Sequence, residues 1–176
     1  MLYNIVKQIN WIDLFVLILL FRTCYVAVNT GVPIEIFKIS GTLAAIYLSL
    51  SYFAPLGKFI HSLPGFKNLS LVFWSFSSFV LLAIVGYSVF LLLRKFFSRL
   101  IKLDTVTDIN KWGGLIIGFV RGLLLASLIT VMLVVSGSDY LKACVKDSFS
   151  GRRVFKIAPA VYKAISTFKN EVIPTL

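Results

Sequence analysis

Residues 110–130 read NKWGGLIIGFVRGLLLASLIT, and this stretch decides the fold. Gly114, Gly118 and Gly122 recur every fourth residue, and Ala126 and Thr130 prolong the row. At helical periodicity that spacing keeps the small residues on one slowly drifting face. Such a face lets a second helix backbone come close, which is the main packing device available inside lipid. Arg121 lies beside the row, about one turn from Gly118, in an otherwise uncharged apolar run. A guanidinium at that depth is costly unless it meets protein, water or an acid. Two readings stand: a packing ridge whose Arg snorkels to one interface, and a polar functional site within a helix bundle.

Composition agrees with a membrane setting. Hydrophobic residues make up 59% of the 176 and charged residues 14%, with a mean hydropathy of +0.92. Soluble domains have about half apolar and a quarter charged residues, so this is an all-α integral membrane protein. The net charge of +11 lies largely outside the apolar runs and points to anionic lipid headgroups as partners. Nucleic acid is the competing explanation for basicity, but no basic, aromatic-interleaved soluble module supports it. Cys24 and Cys144 stand alone, without metal-ligand or redox spacing, and read as packing residues.

Working outward from the glycine row, the hydropathy pattern predicts four transmembrane helices at about 11–28, 34–53, 69–93 and 113–135, forming a membrane domain over 1–138. The first span reads as an uncleaved helix rather than a cleaved signal peptide, because Lys7 is the only basic residue before it and no small-x-small site follows it. Trp11 belongs to the interfacial belt and Asp13 lies near the start of the span. Asn29–Pro33 breaks the chain. Pro33 suits the first turn of the second span, where Glu35 complements the helix dipole and can pair with Lys38 three residues on. Gly41, Ala45 and Ser49 give this span its own small-residue face. Pro55 and Gly57 close it, and a loop containing the single histidine, His61, leads to the third span.

After the third span comes RKFFSRLIKLD, residues 94–104. Lys95, Arg99 and Lys102 share one face among aromatic and aliphatic neighbours, which predicts a basic interfacial helix between spans three and four. Residues 139–176 carry seven Lys and Arg against three acids, Arg152 and Arg153 among them. They read as a basic, amphipathic, surface-lying tail of two short helices with a far end that is partly disordered.

These motifs together resemble the signature of the colicin V production protein (CvpA) family. The family pattern Leu-Asp-x-x-x-Gly-x-x-x-Gly-x-x-Arg-Gly is matched by Gly114, Gly118, Arg121 and Gly122, with Ile109 and Asn110 in place of Leu-Asp. Asp13 opens the first helix as in the family. Gly31 and Glu35 keep the spacing of Arg-Gly-x-x-x-Glu, with Thr30 in place of the Arg, and Gly41 follows. The resemblance covers roughly residues 10–135. It implies a bacterial inner-membrane protein tied to production or export of a peptide toxin, and more broadly to envelope function, with no catalytic chemistry attached.

The residues point the same way. One histidine and seven acids supply no Ser-His-Asp, Cys-His or paired-acid constellation, and Gly113–Gly122 lies in an apolar helix, where it cannot form a phosphate-cradling loop. The chain is therefore expected to be no enzyme and to need no cofactor or metal. Two function classes remain. One is an accessory protein whose glycine faces dock other membrane proteins or further copies of itself. The other is a small transporter or channel subunit with Arg121, Glu35, Asp13 or Asn110 at a polar site. Pairing of these charges inside a closed bundle favours the first class, and a wet path lined by them favours the second.

Overall fold

The structure, a computed structural model, describes residues 10–64, 69–100 and 108–172, and for 94, 96–100, 108–109 and 168–172 the backbone alone. No strand occurs among the described residues. The helices are α1 (Trp11–Ser62), α2 (Leu71–Leu100), α3 (Asp108–Val135), α4 (Asp139–Asp147), α5 (Phe149–Val154) and α6 (Ile157–Val172). Three of them contain stretches long and apolar enough to cross a membrane: Trp11–Ser62, Leu71–Leu93 and Asn110–Val135. The protein is a multi-pass membrane protein.

The 52 residues of α1 would extend about 78 Å if straight, more than twice a hydrocarbon core of about 30 Å. They are not straight. Gly31 has φ 73° and ψ 172°, a conformation essentially confined to glycine. Pro33, lacking an N–H, cannot restore the ladder across the break. Just before the break, Asn29 Nδ2 donates to Tyr25 O, and Thr30 Oγ1 lies 3.0 Å from Val26 O.

Contacts with α3 show how sharply the chain turns. Along α3, Gly114 faces Ala27 and Gly31, Gly118 faces Thr23 and Ala27, and Gly122 faces Leu20 and Thr23. The first limb, residues 11–30, thus runs antiparallel to α3. The second limb, residues 32–62, runs the other way: Glu35 meets Arg121, while Ile46 shares a core with Leu124, Leu128 and Val131. The limbs therefore form a hairpin reversing at Gly31, and both pack on α3.

The glycine row is the seam of the first contact. A Cβ on Gly114 would lie 2.7 Å from the Ala27 carbonyl oxygen, and one on Gly118 would collide with the Ala27 Cβ. Thr23, opposite Gly122, returns its hydroxyl hydrogen to Leu19 O and Leu20 O and so brings no unsatisfied polar group into the seam. Further along, Ala126 packs with Ile12 and Val16. The face containing Gly41, Ala45 and Ser49 packs on α2 in the same manner. Gly41 abuts Phe90 and Tyr87, and Gly86 abuts the Ala45 backbone. Large apolar residues on the outer faces, among them Phe21, Ile84, Ile116 and Phe119, are exposed, as lipid contact requires.

Three boundaries differ from the sequence reading. The second limb continues through Pro55 and Gly57 to Ser62, whereas those two residues predict an end near Phe53. A single proline removes one ladder bond, and Gly57 lets the helix stay seated on the Ser75 backbone. Residues 94–100 prolong α2 rather than begin a separate interfacial helix. Lys95 is exposed there, while the Arg99 side chain and Lys102 lie outside the described residues. Finally, the tail is folded onto the bundle. Cys144, Val145, Val154 and Ala158 are buried, and Ala158 N donates to Ser127 Oγ at 2.7 Å.

Candidate functional site

Beneath the reversal at Gly31 lies a cluster of buried charges. The second limb begins there, so Glu35 falls in its first turns and Lys38 one turn further, on the side facing α3. Lys38 Nζ approaches Glu35 Oε1 at 2.5 Å, and Arg121 Nε lies 2.9 Å from Glu35 Oε2. The side chains are 0% exposed for Glu35, 6% for Lys38 and 5% for Arg121. Thr30, the last residue before the break, donates its hydroxyl to Glu35 Oε1 at 2.8 Å, and Lys38 Nζ reaches Thr30 Oγ1 at 3.3 Å. The Arg121–Glu35 contact lacks hydrogen-bond alignment, so it is a close ion pair rather than a directed bond.

The geometry follows from helix directions. A long side chain on a helix leans toward the helix N-terminus, so Arg121 reaches from its turn toward the Gly31 end, where Glu35 sits. It does not snorkel to an interface. Charges this deep are tolerated only when paired, because desolvation costs several kcal/mol per ion. The cluster can clamp the hairpin to α3. One carboxylate, Glu35, is shared by the two cations Lys38 and Arg121.

Asp13, the second acid read as a functional candidate, is elsewhere. Its carboxylate accepts from Asn10 N, from Ser148 Oγ at 2.7 Å, from Ser150 N at 2.7 Å, from Ser150 Oγ and from Phe149 N. Asn10 Nδ2 adds a bond to Cys144 O at 2.9 Å. The start of α1 thus holds the start of α5 against the bundle. Asn110 is half-buried at the opposite end of α3 and joins neither group. Arg152 and Arg153 are exposed on α5.

Lys38 was legible as the partner of Glu35, while Thr30, Ser148 and Ser150 are participants the sequence reading left unassigned. Thr30 was legible only as a departure from the family pattern, and nothing local marks Ser148 and Ser150 as partners of a residue at the other end of the chain. A groove of 470 Å³ along α2, between Phe76 and Val85, has Ser77 as its single polar lining side chain. Among the described residues no group of three or more His, Cys, Asp and Glu is placed to hold a metal ion.

No curated protein sequence and no solved structure matches the chain. The profile described as colicin V production protein matches residues 12–159, from the residue before Asp13, past the glycine row and Arg121, into the first turn of α6. The match extends beyond α3 and includes the segment that Asp13 holds. The chain belongs to the colicin V production protein family.

Proposed function

We propose that this chain is a bacterial inner-membrane accessory protein, serving toxin production or export and envelope function by packing and docking helices rather than by catalysis or transport. The supporting observation is the Glu35–Lys38–Arg121 cluster, which is buried between the hairpin and α3 with its charges turned toward one another. A conducting path requires charges that face water and release their ligands, and a clamp requires the arrangement found here. In this reading the bilayer is crossed four times, by the two limbs of α1 and by α2 and α3. A limb of 20 residues spans about 30 Å, which matches the hydrocarbon core. Its partners are other membrane proteins or further copies of the chain.

A second reading, a small transporter or channel subunit, draws on the Gly31 break. Interrupted helices beside intramembrane charges are where transporters build their ion sites. Flux of ions and small solutes through liposomes containing the purified protein separates the two. The accessory reading expects tight vesicles with both wild type and Arg121→Ala. Flux in the wild type that vanishes in the variant would establish the transporter reading instead.

A further inference from the structure

The geometry points to the α4–α5 lobe as a preformed binding surface for an anionic phospholipid leaflet. This rests on the four-crossing reading above, in which the lobe lies at the bilayer boundary. It follows α3 directly, through Gly137 at φ 81°, and is bonded to the first residues of α1 by Asn10 and Asp13. Both apolar helices therefore end at its level. Three aromatic residues emerge at this end: Trp11 at 44%, Tyr140 at 69% and Phe149 at 63% exposure. The Tyr140 hydroxyl lies beside the Trp11 indole and the Cys144 thiol. The amphipathic rings of Trp11 and Tyr140, exposed where apolar helices stop, are the pattern of a headgroup-level belt, and Phe149 adds an apolar ring beside them.

Charge complements the belt. Lys146, Arg152, Arg153 and Lys156 are exposed. Of the two acids in the lobe, Asp139 is engaged by Lys142 at 3.2 Å, which leaves Asp147 as the acid set against those four cations. Asp13 keeps its charge, because its partners Ser148, Phe149 and Ser150 are neutral donors, but the four cations still outnumber the two carboxylates Asp13 and Asp147.

The face is also rigid. Gly151 and Val154 are buried beneath it, Asp13 and Ser148 fix the start of α5, and the Arg153 guanidinium is stacked 4.3 Å over the Phe149 ring. A guanidinium held as Arg153 is loses little freedom on meeting phosphate oxygens. An extended anionic surface fits better than one acidic peptide, because the cations and the aromatic residues share the end of the bundle that meets the leaflet.

The test uses the full chain in detergent, titrated with short-chain phosphatidylglycerol, short-chain phosphatidylcholine and inorganic phosphate, with thermal unfolding and hydrogen exchange of α4–α5 as readouts. Phosphatidylglycerol should raise the midpoint and protect the lobe, with an effect that weakens as salt is added. Phosphatidylcholine and free phosphate should do neither. The triple variant Arg152→Gln, Arg153→Gln, Lys156→Gln should keep its lipid-free midpoint and lose on the order of a hundredfold in affinity, about fivefold per charge. Should the triple variant fold poorly, Arg152→Gln alone should lose about fivefold. Equal responses to the two lipids, or folded variants with unchanged affinity, overturn the assignment and favour an acidic protein partner for this face. A response to inorganic phosphate equal to that for phosphatidylglycerol also overturns it, reducing the face to a simple anion site.

Discussion

Arg121 Nε lies 2.9 Å from Glu35 Oε2, with side-chain exposures of 5% and 0%. Arg121 comes from the helix that carries the glycine row and Glu35 from the limb just past the break, so this pair ties the reversal of α1 to α3. Removing one partner of a buried pair leaves the other desolvated, which costs about 3–5 kcal/mol. Arg121→Ala is therefore expected to lower stability by about 3 kcal/mol. The double variant Glu35→Gln, Arg121→Met should lose clearly less than the sum of its single variants. Unfolding of all four proteins in detergent gives the coupling, and simple additivity would count against a clamp.

The seam between the first limb and α3 makes its own demand. Gly118→Leu drives a branched side chain into Ala27 and should separate the helices, with a loss of about 3 kcal/mol or failure to accumulate in the membrane. Leu124→Ile, in the core beside Ile46, conserves volume and should cost less than about 1.5 kcal/mol. Cysteine cross-linking between the first limb and α3 reports the separation directly. Equal behaviour of the two variants would mean that the glycine row does not hold this contact.

Gly31 is required for its backbone as well as its size. At φ 73° and ψ 172° a Cβ is strained, so Gly31→Ala should destabilise by about 1–3 kcal/mol. The alternative open to the variant is to straighten α1, which would pull Glu35 away from Arg121. Distances measured between spin labels on the two limbs should lengthen in that case. An unchanged distance and midpoint would show that the turn tolerates a side chain.

Asp13 predicts a local effect. Asp13→Ala removes the acceptor shared by Ser148, Phe149 and Ser150. Losing charge-assisted bonds of this kind costs about 2 kcal/mol. The cost should fall on the tail, which opens while the hairpin and α3 stay packed. Trypsin cleavage after Arg152 or Arg153 should accelerate in the variant with little change in the cooperative unfolding of the bundle. Cleavage at the wild-type rate would mean that the apolar contacts of Val145 and Val154 hold the lobe unaided.

The sequence by itself determined the membrane setting, the helical class and the helix around which the others pack. Apolar runs long enough to cross lipid admit few backbone solutions, and small residues at every fourth position mark a close helix contact wherever it falls. Gly114, Gly118 and Gly122 were legible for that reason, as was the local Glu35–Lys38 pair. Tertiary structure decided the rest. Periodicity names a face but not the helix it meets, so the partner of the glycine row, the first limb, emerges only in the fold. Arg121 had two acids within reach on paper, and the hairpin delivers Glu35 to it while Asp13 is carried to the far end. The tail reads as a surface segment because its charges dominate its composition. Its place against the bundle rests instead on a few buried side chains and on bonds to residues more than a hundred positions away, and no local pattern encodes contacts at that separation.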